Sequence, residues 1–146
     1  KQLADHRFAV IVINDGSREE YDSLYQDIGA IDHCVVVQHP KNLGKGRGLK
    51  TGFQYFLEHF LPTGQYCGVI TADSDGQHSI ADIIKLAEEQ EKSQNSRTLL
   101  LGSRDFNLDI VPPKSKFGNK LTRQVFHLFY RLKIEDTQTG LRGIPN

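Results

Sequence analysis

The chain has 146 residues, of which 38% are hydrophobic and 25% are charged, a composition typical of one globular domain that buries a core. Its 18 basic and 18 acidic residues cancel, which argues against a general affinity for nucleic acid. Cys34 and Cys67 lie in apolar runs without the spacing of a zinc site, so we expect buried thiols in a reducing, cytoplasmic compartment. We predict a single domain over residues 1–146.

Short apolar runs alternate with amphipathic segments along the chain. Strands are predicted at residues 8–13, 34–38, 66–71 and 98–101, where apolar and β-branched residues follow one another. Helices are predicted at residues 18–28, 46–61, 79–92 and 117–132, where apolar residues recur at helical spacing. In the second helix these residues are Leu49, Phe53, Phe56, Leu57 and Phe60. The alternation predicts an α/β fold with a largely parallel sheet flanked by helices.

Polar side chains follow three of the predicted strands. Asp15 comes after the first strand. Asp73 and Asp75 come after the third strand, and Arg104 comes after the fourth. Ligands of such a sheet bind beyond the carboxyl ends of its strands. We therefore expect these four side chains to contribute to one site.

Asp73 and Asp75 form a D-x-D motif. Carboxylates two residues apart point toward one small volume and raise each other's pKa unless a cation lies between them. Mg²⁺ or Mn²⁺ prefers oxygen ligands and is commonly held by one or two carboxylates together with substrate phosphates. The alternative is an ordinary polar turn, because Asp, Ser and Gly are common turn residues. We expect His78 to cap the next helix or to support the metal ligands.

A glycine-rich stretch, residues 42–48, precedes the second helix. Two familiar phosphate-loop patterns fail there on spacing, because Leu49 and Thr51 stand where those patterns require glycine. What remains is a loop that opens a helix. Lys45 and Arg47 either contact an anion at this helix start or are solvated charges.

Five motifs in chain order give the sequence a wider resemblance. They are residues 12–17 (VINDGS), 42–46 (NLGKG), 72–78 (ADSDGQH), 102–104 (GSR) and 136–140 (DTQTG). Together they resemble the inverting family 2 glycosyltransferases of GT-A fold, and among these the dolichyl-phosphate mannosyl- and glucosyltransferases. The resemblance implies a nucleotide-diphosphate sugar as the donor substrate.

The resemblance also implies roles for single residues. Asp15 would contact the nucleoside, and Arg104 would face the phosphates. Asp73 and Asp75 would bind Mg²⁺ or Mn²⁺, with Gln77 as a further ligand. We also assign Lys45 and Gln138 to substrate binding.

Compared with that family, the sequence lacks a region at each end. Family members usually begin with a strand that ends in a Pro-x-Tyr-Asn-like turn, whereas this chain begins at Lys1-Gln2-Leu3-Ala4-Asp5. A first, central strand is therefore expected to be missing. After Asn146 the family continues with acceptor-side elements and sometimes membrane segments. The absence of Met agrees with an internal fragment.

Charge predicts how the reaction is catalysed. Breaking the bond between a sugar and a nucleoside diphosphate builds negative charge on the leaving phosphate, and a cation stabilises that charge in the transition state. We therefore assign catalytic roles to Asp75, through the metal ion, and to Arg104. Asp136 is either a general base for a hydroxyl acceptor or a loop residue.

The resemblance favours a polyprenyl phosphate as the acceptor, and basic residues at 114–123 are candidates to bind it. A polyprenyl phosphate is already anionic and needs cations more than a general base. Lys116 and Arg123 are candidates to bind it at the inner face of a membrane, although solvated helix charges give the same pattern. The alternatives are a saccharide acceptor, a nucleotidyltransferase that builds sugar nucleotides, and a non-catalytic module that binds nucleotide sugars.

Overall fold

The computed structural model describes residues 3, 8–76, 78–93, 98–103, 131 and 139–146. Contacts within the chain divide it into two compact units, Lys1–Val69 with Asn146, and Ile70–Pro145. We call them the first unit and the second unit. The single domain predicted over residues 1–146 stays a prediction.

Five strands and three α-helices lie in the described part of the chain. In chain order they are β1 (Val10–Asn14), α1 (Asp22–Gly29), β2 (Cys34–Gln38), α2 (Lys45–Tyr55), β3 (Gly68–Thr71), α3 (Ile80–Lys92), β4 (Leu100–Leu101) and β5 (Arg142–Pro145). Strands and helices alternate up to β4, as the sequence predicts. The α/β class is therefore confirmed.

The first unit is built on a parallel pair of strands. β1 pairs with β2 in a register that sets Val10 opposite Cys34 and Asn14 opposite Gln38. A short 3-10 helix, Glu19–Tyr21, and α1 form the crossover between these strands, which parallel strands require. The parallel pairing was predicted, and the predicted strand at 34–38 coincides with β2.

The predicted helix at 46–61 is three consecutive helical segments. After α2 the chain continues as a π-helix, Phe56–Phe60, and a 3-10 helix, Leu61–Thr63. A π-helix bonds i to i+5, so the α-helical period no longer predicts which side chains face inward. Phe56 is only 8% exposed, whereas Leu57 is 51% exposed. Leu57, one of the apolar residues at helical spacing, is therefore not part of the buried face.

The second sheet has the strand order β3-β5-β4. β4 and β5 are antiparallel, with Leu100 opposite Gly143 and Leu101 opposite Arg142. β5 was not predicted, because glycine and proline within a short run argue against a strand. Glycine is favoured at position 143 because the side chain of Gln90, on α3, lies against it. A Cβ on Gly143 would fit only if that side chain moved. Gln90 also donates a hydrogen bond from Nε2 to the Ile144 carbonyl (2.7 Å).

Of the predicted helix at 117–132, the structure describes Arg131, which is not helical and has a φ of +55°, so the prediction is wrong at that residue. The other residues of this predicted helix lie outside the described part of the chain. Among the helices that the structure describes, none has the length and apolar character needed to cross a membrane.

Candidate functional site

The turn after β1 is held by its own side chains. Asn14 is fully buried, and its Oδ1 accepts a hydrogen bond from the Ser17 N–H (2.9 Å), which forms an Asx-type turn. Gly16 has a φ of +69° and lies against the backbone of Lys41 and Asn42, where a Cβ would overlap. This position therefore requires glycine, because the turn packs directly on the loop after β2.

Asp15 is the centre of the contacts between this turn and that loop. Its Oδ1 accepts hydrogen bonds from His39 Nδ1 (2.7 Å) and the Leu43 N–H (2.9 Å), and its Oδ2 accepts one from the Gly44 N–H (2.8 Å). His39 is 8% exposed, and its Nε2 lies 2.8 Å from the Thr51 hydroxyl. A carboxylate only accepts hydrogen bonds, so Nδ1 carries the proton and, in the neutral ring, Nε2 accepts from Thr51.

These contacts change the acidity of Asp15. The hydrogen bond from His39 and that from the Leu43 N–H lower the pKa of Asp15 below its ordinary value of 3.8, and the Gly44 N–H adds to the effect while burial opposes it. Each donor stabilises the charged form of the carboxylate. Asp15 is therefore a charged residue that joins the ends of β1 and β2 to the start of α2.

The hydrogen bonds to Asp15 reduce the number of N–H groups that could contribute to the anion contact predicted at residues 42–48. The Leu43 and Gly44 N–H groups donate to Asp15, so the negative charge at the start of α2 is supplied from within the protein, where it complements the helix dipole. The predicted contacts with an external anion, Lys45 and Arg47, have exposed side chains. These contacts stay a prediction.

The predicted nucleoside contact of Asp15 also stays a prediction. A carboxylate has about four acceptor positions, and three are occupied by hydrogen bonds within the described chain. His39 and Thr51 were missed in the sequence. His39 directly follows β2, so the rule that identified Asp15, a polar side chain at the carboxyl end of a strand, would also have identified His39.

In the second unit, the D-x-D motif lies in the turn between β3 and α3. Asp73 is half-buried and Asp75 is exposed, and Gly76 has a φ of +81°. Ser79 caps α3, because its hydroxyl accepts a hydrogen bond from the Asp82 N–H (3.1 Å). Of the two roles expected for His78, capping this helix is therefore excluded, since the hydroxyl of the next residue accepts that bond. Support of the metal ligands stays a prediction.

A second motif, the end of DTQTG, packs on the glycine of GSR. Thr139 is 2% exposed and donates from its hydroxyl to the Gly102 carbonyl (2.5 Å). The Gly102 N–H donates in turn to the Leu141 carbonyl (2.9 Å). Leu141 is 4% exposed, and its side chain covers Gly102 so closely that a Cβ there would lie 2.6 Å from Leu141 Cδ2. Residues 139–141 are therefore anchored at both ends.

The middle residue of that segment, Gly140, contacts the D-x-D motif. The Thr71 hydroxyl, at the end of β3, donates to the Gly140 carbonyl (2.9 Å). A Cβ placed on Gly140 would lie 2.5 Å from Cγ and 2.8 Å from Oδ1 of Asp73. The structure thus brings three of the sequence motifs together in the second unit.

The donor atoms present determine which metal site is possible. Within the residues that the structure describes, no group of three or more His, Cys, Asp and Glu side chains could hold a metal ion. Asp73 and Asp75 supply carboxylate oxygens, the donors that Mg²⁺ and Mn²⁺ prefer, and an ion shared with a diphosphate needs only one or two of them. Asp73 and Asp75 therefore fit a divalent ion whose other ligands come from the diphosphate of a substrate.

Six predicted site residues lie outside the described residues: Gln77, Arg104, Lys116, Arg123, Asp136 and Gln138. Their roles stay predictions, as does the meeting of Asp15, Asp73 and Arg104 at one site.

An α/β fold with paired carboxylates directly after a strand is the arrangement of the GT-A class. Comparison with known families agrees, because the model of glycosyl transferase family 2 matches residues 1–133. The chain belongs to this family. The resemblance drawn from the five motifs and the GT-A fold class are thereby confirmed.

Two relatives are distant. An uncharacterized protein of Methanocaldococcus jannaschii is 28% identical over 137 residues, which cover 92% of this chain and 52% of that protein. A protein of Methanococcus voltae named UDP-N-acetylglucosamine–dolichyl-phosphate N-acetylglucosaminyltransferase is 24% identical over an alignment that is 158 residues long with its gaps and that covers 97% of this chain and 60% of that protein. The chain thus spans only about half to three-fifths of their lengths. No solved structure matches it.

Asp15→Asn tests whether the Asp15 carboxylate stabilises the fold. Since the pKa of Asp15 is lowered in the folded protein, the carboxylate contributes stability above its ordinary pKa of 3.8, and that contribution is lost as the pH falls through the lowered value. We expect the variant to be less stable than wild type at about pH 7, with a difference that shrinks toward about pH 2. Urea unfolding at a series of pH values measures this.

Asp27→Asn is the matched control, because Asp27 is an exposed carboxylate on α1. It should change stability little at every pH. If Asp15→Asn behaves in the same way, the hydrogen bonds to Asp15 do not stabilise the folded state.

Proposed function

We propose that this chain is part of the catalytic domain of a glycosyltransferase that moves a glycosyl group from a nucleotide-diphosphate sugar to a polyprenyl phosphate, with inversion at the sugar carbon. One observation supports the proposal most. Segments that lie 69 residues apart in sequence, the end of β3 and the Gly140 turn, meet in the second unit, and both carry motifs of the family. Such a meeting is typical of a site assembled by the fold.

The donor half of the proposed site consists of Asp73, Asp75 and Arg104. Asp73 and Asp75 hold Mg²⁺ or Mn²⁺, with Gln77 as a further ligand, and the ion supplies positive charge beside the leaving diphosphate. Arg104 donates hydrogen bonds to the phosphate oxygens. These groups favour the transition state over the ground state because the negative charge on the leaving group increases as the glycosyl bond breaks.

The proposed contacts to the nucleotide come from residues of the first unit and are less defined. Asp15 accepts a hydrogen bond from the nucleoside through its remaining acceptor position, and Lys45 contacts a phosphate. Because the relative from Methanococcus voltae carries UDP-N-acetylglucosamine in its name, that nucleotide sugar is the first donor to test.

The acceptor half of the proposed site lies in the basic stretch at 114–123. Four basic residues lie within ten residues of sequence in a chain of zero net charge: Lys114, Lys116, Lys120 and Arg123. Two of them, Lys116 and Arg123, bind the acceptor phosphate, whose oxygen is already anionic and attacks without a general base. Gln138 contacts the substrate, and Asp136 serves as a base only if the acceptor is a hydroxyl group.

A lipid-linked acceptor also determines where the protein works. The phosphate of a polyprenyl phosphate lies at the membrane surface, and the basic stretch would meet it there from the cytoplasmic side. The dolichyl phosphate in the name of the relative from Methanococcus voltae supports this choice over a saccharide acceptor.

Asp75→Ala tests the metal-dependent part of the proposal. Removing one of two carboxylate ligands should weaken Mn²⁺-dependent binding of UDP-N-acetylglucosamine by about tenfold or more, while the fold is kept because Asp75 is exposed. Isothermal titration calorimetry with and without Mn²⁺ measures this. Glu88→Gln, which removes an exposed carboxylate from α3, should bind like wild type. Equal affinity of Asp75→Ala and Glu88→Gln would contradict the metal site.

A charge reversal tests the acceptor. Each charged hydrogen bond contributes about 1.5–3 kcal/mol, so the double variant Lys116→Glu, Arg123→Glu should lower kcat/KM for a short polyprenyl phosphate by about a hundredfold or more. Binding of the nucleotide sugar should be unchanged, because the donor half of the site is not altered. Transfer of radiolabelled sugar in detergent measures the first effect, and calorimetry measures the second.

The control for that experiment is Lys50→Glu, Lys85→Glu, which makes the same change of charge at exposed positions of α2 and α3. If both double variants transfer sugar equally well, the basic stretch does not bind the acceptor. Formation of pyrophosphate and a nucleoside triphosphate by exchange would instead indicate a nucleotidyltransferase.

A further inference from the structure

We propose that Gly140 is a positioning residue that sets the place of the Asp73 carboxylate and thereby the affinity of the donor site for its metal ion. The inference rests on the proposed function for the identity of the ion. The geometry, which lies within the second unit, is independent of the proposed function.

The contact leaves no room for a side chain at residue 140. A Cβ there would lie 2.5 Å from Cγ and 2.8 Å from Oδ1 of Asp73, whereas unbonded carbon atoms in contact are about 3.5–4.0 Å apart. Gly140 is not among the glycines of positive φ, so its backbone conformation is open to any residue. The nearest atoms that a Cβ would meet are all in the Asp73 carboxylate, so the contact with Asp73 is a reason for glycine at this position.

Gly140 cannot move aside to make that room. On one side of it, Thr139 is bonded through its hydroxyl to the Gly102 carbonyl, and on the other the Leu141 carbonyl accepts from the Gly102 N–H. The carbonyl of Gly140 itself accepts from the Thr71 hydroxyl. All three residues of the 139–141 segment are buried, so any displacement would break hydrogen bonds that water cannot easily replace.

The Asp73 carboxylate is therefore the group that would move if residue 140 had a side chain. Asp73 follows the end of β3 and is half-buried. The atoms that a Cβ on Gly140 would meet are the far end of the flexible Asp73 side chain, which can adopt another rotamer, whereas the 139–141 segment is held through its backbone. Groups that orient a metal ligand typically change metal affinity by about 10- to 100-fold when they are altered. Gly140→Ala should weaken Mn²⁺ binding by an amount in that range.

The test compares Gly140→Ala with Gly52→Ala. Gly52 lies within α2, where a Cβ would make only ordinary contacts, the nearest at 3.8 Å. Titration calorimetry with Mn²⁺ in the presence of UDP-N-acetylglucosamine should give an affinity about 10- to 100-fold lower for Gly140→Ala and unchanged for Gly52→Ala. In an Asp73→Ala background, Gly140→Ala should have almost no further effect, because the group it displaces is absent. A merely structural role would lower affinity in both backgrounds.

Thr71→Val gives a second, milder test that applies even if Gly140→Ala does not fold. It keeps the side-chain shape and removes the hydrogen bond to Gly140, so Mn²⁺ affinity should fall by about 2- to 10-fold. Wild-type affinity in Thr71→Val, or in a folded Gly140→Ala, would overturn the inference.

A crystal structure of metal-free Gly140→Ala separates this inference from the proposed function. It should show the Asp73 carboxylate displaced and the bonds of Thr139 and Leu141 to Gly102 intact. A displaced 139–141 segment would overturn the positioning role. If the carboxylate is displaced but wild type does not bind Mn²⁺ with the nucleotide sugar, the positioning role stands and the proposed metal site fails.

Discussion

The hydrogen bonds between Gly102 and the segment Thr139–Leu141 are the constraint on which the candidate donor site depends. They join two motifs that are 37 residues apart in sequence and seat a glycine against the Asp73 carboxylate. Because the Thr139 hydroxyl is buried and bonded, leaving either partner unpaired would cost about 1–3 kcal/mol. The geometry around Asp73 is therefore fixed by a neighbouring segment and not by the D-x-D turn alone.

The two units use acidic residues at strand ends in different ways. Asp15 follows β1, and its charge is satisfied by an imidazole and two backbone N–H groups, so it organises the loop before α2. Asp73 and Asp75 follow β3 and supply carboxylate oxygens, the donors that Mg²⁺ and Mn²⁺ prefer. An acidic residue after a strand therefore stabilises a loop in the first unit, whereas in the second unit the acidic residues after a strand are suited to binding a metal ion.

Local patterns in the sequence predicted the strands and helices well, but they did not predict the contacts between them. β2 was predicted at its observed bounds because it is a continuous run rich in β-branched residues. β5 was missed because it contains Gly143 and Pro145, and glycine and proline argue against a strand. The bond between Asp15 and His39 depends on the register of β1 and β2, which sets Asn14 opposite Gln38 and so brings the next residues together. Register cannot be derived from either strand alone. The contact of Gly140 with Asp73 joins residues that are far apart in sequence, whereas hydrophobic periodicity predicts only local structure.

The most direct measurement of the central claim is paramagnetic broadening of backbone amide signals by Mn²⁺ in the presence of UDP-N-acetylglucosamine. If the ion binds at the D-x-D motif, the signals of residues 73–76 and of residues 139–141 should broaden together, because Gly140 lies against the Asp73 carboxylate. Broadening that spares residues 139–141, or that centres on the exposed acidic residues of α3, would contradict the account.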